Sequence, residues 1–249
     1  MIIRLKHQNN EYYTDLSRPL DISVAVDFDR EDTLAWYIDP PKREPVQIDG
    51  FIGSVQKGGS VNFFNLHLNP HAHGTHTETS GHINLIPHSV NKHFKTYHSI
   101  AELTTVYPEK RGEDKVITKN NLERSIKYQT TSLIIRTEPN TKLDKTSNFS
   151  NTNPPFFSAD ALATLALKRV ENLLVDLPSV DKEQDGGKLL GHRAFWNHPS
   201  KERLHCTITE LIYIPNKIPD GLYLLNLQVA PMENDAAPSR PLLFKLNPA

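Results

Sequence analysis

Cysteine is nearly absent from this chain: Cys206 stands alone among 249 residues. No intrachain disulfide can form, which fits a reducing compartment. A zinc site built on several thiolates is excluded as well. Long apolar runs are also missing, and none approaches the ~20 residues a helix needs to cross a bilayer. Met1 to Lys6 sets two cations around isoleucines and leads into polar His7-Gln8-Asn9-Asn10, which is no secretory core. Neither sign of charge is in excess, since 28 basic and 29 acidic residues leave a formal net charge of -1. With no basic run interleaved with aromatics, neither nucleic acid nor an anionic membrane is an expected partner. No Gly-x-Ser-x-Gly elbow marks a serine nucleophile, and Cys206 lies in no nucleophile signature, so it reads as a small apolar filler. What these absences leave is a cytoplasmic protein whose expected partner is a small-molecule substrate.

The segment Asn69 to His82, Asn-Pro-His-Ala-His-Gly-Thr-His-Thr-Glu-Thr-Ser-Gly-His, is the most informative stretch present. His71, His73, His76, His82 and Glu78 crowd into it with no long spacer between them. Imidazole and carboxylate are the donors that zinc and manganese select, and a compact cluster lets one loop present several at once. Gly74 inside the cluster permits a backbone turn that brings the flanking histidines together. The segment reads as a metal site.

Periodicity sorts the rest. Ile22 to Phe28 alternates apolar and polar residues as a half-buried strand does, and Val61 to Leu68 does so again just before the histidines. The cluster is then expected where a strand runs into a loop, a usual place for chemistry carried on a scaffold. Ser132 to Thr137 and Asn172 to Leu177 read as buried strands. Ile208 to Ile214 and Leu222 to Val229 read as two more, joined by the turn Pro215 to Gly221. Trp36 to Pro45 is rich in proline and charge and is expected as a loop, its Trp36-Tyr37 pair filling core or walling a pocket. Asp144 to Pro155 is expected as a surface loop. Thr118 is placed to cap a short helix carrying Leu122 and Ile126. Ser158 begins a longer helix with Leu162, Leu165, Ala166 and Val170 on one face. Asp176 and Asp181 flank a proline-containing turn and are expected to cap backbone groups. Strands outnumber helices but alternate with them, so the expectation is α/β or α+β in a single domain over 1–249.

The arrangement His71…Gly74-Thr75-His76-x-Glu78…His82 resembles the signature His-x-Gly-Thr-His-x-Asp-x-x-x-His of the cyclase-type metal-dependent hydrolases, the family that includes bacterial kynurenine formamidase. Further segments resemble that family in the same order: Asp15-Leu16-Ser17, Leu133 to Thr137, Asp176 to Asp181, Gly191-His192-Arg193, Thr209-Glu210-Leu211, and Asp235-Ala-Ala-Pro238-Ser-Arg240. The resemblance implies a cyclase/kynurenine formamidase-like swivelling β/β/α fold with a mixed sheet and few helices. It implies metal ligation by His71, His76, Glu78, His192 and Glu210, with His82 as proton donor and acceptor. Glu78 stands where the family has aspartate, one methylene longer at the same charge. Ala72 stands where the family has a histidine, so His71, with His73 as competitor, takes that place. His192 matches the downstream histidine by its neighbours, whereas His198 matches it by spacing to the glutamate. The implied cofactor is a divalent metal, zinc or manganese, one or two per chain, and the implied assembly a homodimer or higher homo-oligomer.

A divalent cation held by histidine and carboxylate acidifies a bound water toward neutrality, and the hydroxide attacks a carbonyl carbon. A nearby imidazole that is not a ligand suits the proton transfer to the leaving group. The implied activity is cleavage of an amide, formamide or cyclic amide or ester bond, as an arylformamidase does. Two other readings compete. His71-x-His73 with Glu78 matches the centre of a cupin metal motif, but Asn65 and Leu85 stand where that motif expects glycines. The chain could also keep the fold without catalysis and bind a metal or ligand, a reading the Ala72 departure invites.

Overall fold

A strand that is buried at every position has to be covered on both faces, as parallel strands are. Ser132–Thr137 and Asn172–Val175 are buried at every residue. The computed structural model, which describes residues 1–29, 33–140 and 147–249, shows what covers them. They belong to a closed barrel of seven strands: β1 (His76–Glu78), β2 (His98–Val106), β3 (Ser132–Thr137), β4 (Asn172–Val175), β5 (Thr207–Glu210), β6 (Gly221–Val229) and β7 (Ala236–Lys245). The order around the ring is β6-β2-β3-β4-β5-β1-β7, and β7 pairs with β6 to close it. Strands β2 to β5 run parallel, and the remaining junctions are antiparallel. Leu20–Asp21 adds a short strand against β7.

Alternation separates two cores. Ala101, Leu103, Ile134, Leu174, Leu225 and Leu243 fill the barrel, whereas Leu133, Ile135, Leu173, Val175 and Ile208 face outward. The outward set is covered by α3 (Ala159–Leu167) and α4 (Leu190–Trp196), through Leu162, Leu165, Phe195 and Trp196. Two further short helices among the described residues are α1 (Val90–His93) and α2 (Lys119–Ser125). Thr118 and Asn121 close a capping box at the start of α2. An N-terminal hairpin, Ile2–His7 with Asn10–Asp15, lays Ile3, Leu5 and Tyr12 over Leu224 and Phe244 on the outside of β6 and β7. This is an α/β architecture with a mixed sheet and few helices. Its run of four parallel strands is unlike the antiparallel double sheet of a cupin.

Several elements depart from the periodicity reading. Ile22–Phe28 is extended but is not a ladder strand: Val24 N donates to the Thr75 hydroxyl, and Ile22 O and Val24 O accept from Tyr213 N and Thr75 N. Its alternation reflects burial of Ile22 and Val24 against the barrel. Of Val61–Leu68, only Phe64–His67 is a strand, and it pairs with Lys42–Pro45, inside the segment expected as loop. This ribbon leaves Phe63 and Leu66 more than half exposed. Ile208–Ile214 leaves the sheet after Glu210, and Asn172–Leu177 after Val175. The expected loop Asp144–Pro155 starts outside the described residues, and Leu34 bridges to Asn148 within the rest.

The burial pattern of α3 gives a test. Leu165 is fully buried, and Leu165→Ala is expected to cost about 2–5 kcal/mol. Leu167 is 85% exposed, and Leu167→Ala is expected to stay within about 0.5 kcal/mol of the parent, both read by urea unfolding.

Candidate metal centre

Side chains two apart on a strand share a face. His76 and Glu78 on β1 therefore point the same way, and Thr77 points into the barrel, where it bonds to Thr209 and Ser239. β5 pairs antiparallel with β1, setting Glu210 opposite His76, and Glu210 lies on the face of Ile208, toward the helices. Before β1, the chain turns at Gly74, whose φ of +156° and tight approach to Val24 O and Val26, 3.0–3.3 Å from a would-be Cβ, disfavour a side chain. This brings His71 back over β1. After β1, a 3-10 turn (Ser80–Ile83), started by the Thr79 hydroxyl, returns His82 to the same place. His192 on α4 closes the site from the helix side.

The donor atoms converge. His71 Nδ1 lies 3.2 Å from Glu78 Oε2, and His192 Nε2 lies 3.1 Å from Glu78 Oε1. His76 Nε2 lies 3.4 Å from Glu210 Oε2, and His82 Nδ1 lies 3.8 Å from Glu78 Oε2. Among the described residues, three sets offer donor atoms within 4.8 Å of one another: His71, His76 and Glu78; His71, His82 and Asp235; Glu78, His82 and His192. Two donors on a tetrahedral ion with bonds of ~2.0–2.1 Å stand roughly 3.3 Å apart, a spacing within the 3.1–3.8 Å range of these pairs. His76 donates from Nδ1 to the Gly74 carbonyl at 3.0 Å, which leaves Nε2 directed at the Glu210 carboxylate. His76 Nε2 and Glu78 Oε2 are both buried without a hydrogen-bond partner. Buried polar atoms left without a hydrogen bond are costly, and a cation held among them would offset that cost. The residues present fit a divalent metal.

Charge balance shows the same need. Burial alone would raise Glu78, but the charge of His82 and hydrogen bonds from His192 and His71 outweigh it and hold the carboxyl well below its usual range. Burial opposes charging His71, yet bonds to Asp235 and Glu78 raise it from 6.5 to about 10. Burial also opposes His192, which bonds to Asp181 and then Glu78 hold well above its usual value. Without a metal, histidine protons balance the carboxylates.

All six residues implied by the resemblance, His71, His76, Glu78, His82, His192 and Glu210, meet in this one place. The alternatives lie elsewhere. His73 accepts from Asn69 N at 3.0 Å and donates to Asp39 O at 2.9 Å, and His198 bonds Glu202 at 2.9 Å. Trp36 donates from Nε1 to His71 O at 3.1 Å and packs with Phe149 and Leu211 beside the site, whereas Tyr37 bonds Glu183. Two carboxylates were not assigned to the site from sequence. Asp235 Oδ2 lies 2.9 Å from His71 Nε2 and 3.4 Å from His82 Nδ1. Asp181 does cap backbone groups, as expected, and it also bonds His192 Nδ1 at 2.6 Å. Asp235 sits at the head of a motif that was already visible, so its position was the available signal.

The raised His71 gives the metal-free protein a pH dependence. A histidine raised by folding contributes stability that is fully present below its unfolded value and lost as pH climbs through the folded one. The metal-free fold is expected to lose stability between pH 6.5 and about 10. His71→Gln should flatten that slope in chemical unfolding at stepped pH; an unchanged slope would assign it to other groups.

A family model described as "Putative cyclase" matches residues 14–182. Among solved structures, the chain is similar to a predicted metal-dependent hydrolase from Bacillus stearothermophilus, at 18% identity and TM-score 0.63, covering 91% of this chain and 98% of that one. It is similar to isatin hydrolase A from Labrenzia aggregata, at 14% identity and TM-score 0.59, covering 91% and 93%. A structure described as a novel cyclase aligns at 12% identity and TM-score 0.64, covering 93% and 90%. No curated protein matches by sequence.

Proposed function

The chain belongs to the cyclase family, as the match over residues 14–182 shows, and from that premise we propose that it is a metal-dependent hydrolase cleaving an amide, formamide or cyclic amide or ester. The observation that carries this reading is the convergence of histidine and carboxylate donors, those of His71, His76 and Glu78 all lying within 4.8 Å of one another. His71, His76, Glu78, His192 and Glu210 would hold zinc or manganese, one ion or two. Bound there, the ion supplies Lewis acidity, acidifying water toward neutrality and polarising a carbonyl.

The chain's own residues supply the rest. Glu210 Oε1 accepts from Val180 N at 3.0 Å, which leaves Oε2 directed at His76. His82 is the most exposed of the cluster histidines, with 31% of its side chain accessible, so it reaches both solvent and the buried carboxylates. An imidazole in that position donates a proton to the departing amine or alkoxide. Asp235, 3.4 Å from His82 Nδ1, holds that ring with its other nitrogen free to turn toward substrate. Trp36, bonded through Nε1 to His71 O, lies next to the cluster, where an indole would suit a planar substrate such as an aryl formamide or a lactam. The similarity to isatin hydrolase A, whose name specifies a bicyclic aromatic lactam, supports the cyclic amide among these.

Protein purified without added metal is expected to contain stoichiometric zinc or manganese by elemental analysis. Chelation should remove the ion together with hydrolysis of formanilides or lactams, and returning the ion should restore both. His82→Ala should keep the metal and lose about 10²–10⁴-fold in kcat. Protein that contains no metal and takes up neither ion would sink the hydrolase reading and leave a ligand-binding role.

A further inference from the structure

His192 reaches the site from a different layer of the fold. The other candidate ligands sit on or next to β1 and β5, whereas His192 sits on α4, across the interface between the barrel wall and the helices. Its ring has to be held at both ends to be useful. Nε2 lies 3.1 Å from Glu78 Oε1 and 3.8 Å from Glu210 Oε1. Nδ1 lies 2.6 Å from Asp181 Oδ2.

Asp181 is itself fixed. Its Oδ1 accepts from Gly191 N at 2.6 Å, and its Oδ2 accepts from His192 N at 3.1 Å in addition to the ring. A Cβ on Gly191 would fall 2.8 Å from Asp181 Oδ1, so the glycine is what lets the backbone come this close. The carboxylate is 7% exposed and belongs to none of the sets whose donor atoms could share an ion. Asp235 differs on this point, since it contributes an atom to such a set with His71 and His82.

We propose that Asp181 is a positioning residue for the metal centre, acting through His192 by locking the ring with Nε2 toward Glu78 and Glu210. The inference rests on the metal-dependent reading of the site. An acceptor on Nδ1 requires that nitrogen to carry the proton, which leaves Nε2 as the lone pair available to an ion. Carboxylates behind ligating histidines characteristically act in this way, and their loss costs about 10–100-fold in metal affinity or activity. The single carboxylate also ties the ring to the backbone of α4, so ring and helix cannot shift independently.

The test is a zinc titration of the chelator-stripped protein, with wild type, Asp181→Asn, His192→Ala and the double variant compared by competition with a coloured chelator. Asp181→Asn keeps an acceptor for the Gly191 amide but presents an NH2 group to the ring, favouring the wrong tautomer. Zinc affinity is expected to fall about 10–100-fold in Asp181→Asn. The double variant is expected to bind no more weakly than His192→Ala, because the two residues act as one unit. Asp181→Glu should restore part of the loss. Asp181→Asn with unchanged zinc affinity and a lowered unfolding midpoint would overturn the proposal, leaving Asp181 as a helix cap. Additive losses in the double variant would overturn it too. Should Asp181→Asn fail to fold, Asp181→Glu against His192→Ala carries the same comparison. If wild type binds no zinc or manganese, the hydrolase reading itself falls, an outcome distinct from loss confined to the variants.

Discussion

Glu78 is a carboxylate wholly buried from solvent in the barrel wall. An isolated ionised carboxyl in such a place is prohibitively costly, so it has to be matched by positive charge and by donors on both oxygens. His192 serves one oxygen, and His71 and His82 lie near the other. Each of those histidines in turn rests on a further carboxylate, Asp181 behind His192 and Asp235 behind His71. The centre is thus a nest of alternating charges in which no member can be removed without stranding its neighbour.

The barrel makes this arrangement possible by giving one short strand two different faces. β1 is three residues long and lies between β5 and β7. Thr77 bonds inward to hydroxyls, while His76 and Glu78 face the helix layer, where a side chain can be both shielded and reached by a loop. Placing the charged cluster outside the barrel leaves the interior to apolar side chains and a few hydroxyls that bond one another. Packing the polar site against α4 instead of solvent removes the water that would weaken each electrostatic contact.

How much of this was legible in the sequence depends on distance along the chain. His71, His76, Glu78 and His82 share one local stretch, and their chemistry could be read from residue types alone. Glu210 inside a strand pattern and His192 inside a helix carry no such signal, and only the resemblance in motif order singled them out. Strand β7 went unread because Pro238 and Pro241 interrupt its pattern, yet both are tolerated in a wall where β7 alternates partners between β1 and β6. Ile22–Phe28 misled in the opposite sense: its alternation was real, but its backbone bonds go to Thr75 and Tyr213 individually instead of to a neighbouring ladder. Asp181 was read as a cap and is one, and periodicity has no means to show that the same carboxylate holds a ring eleven residues on.

The barrel is closed by pairing β7 with β6 and with β1, and this orders events during synthesis. His71 and Asp235 lie 164 positions apart, and Glu78 and His192 lie 114 apart, so the centre is made of contacts that form late. Chains leave the ribosome N-terminus first, and distant contacts bear the entropy of closing long loops before they return any stabilisation. The histidine segment therefore leaves the ribosome well ahead of His192, Glu210 and Asp235, the groups that complete and bury the centre.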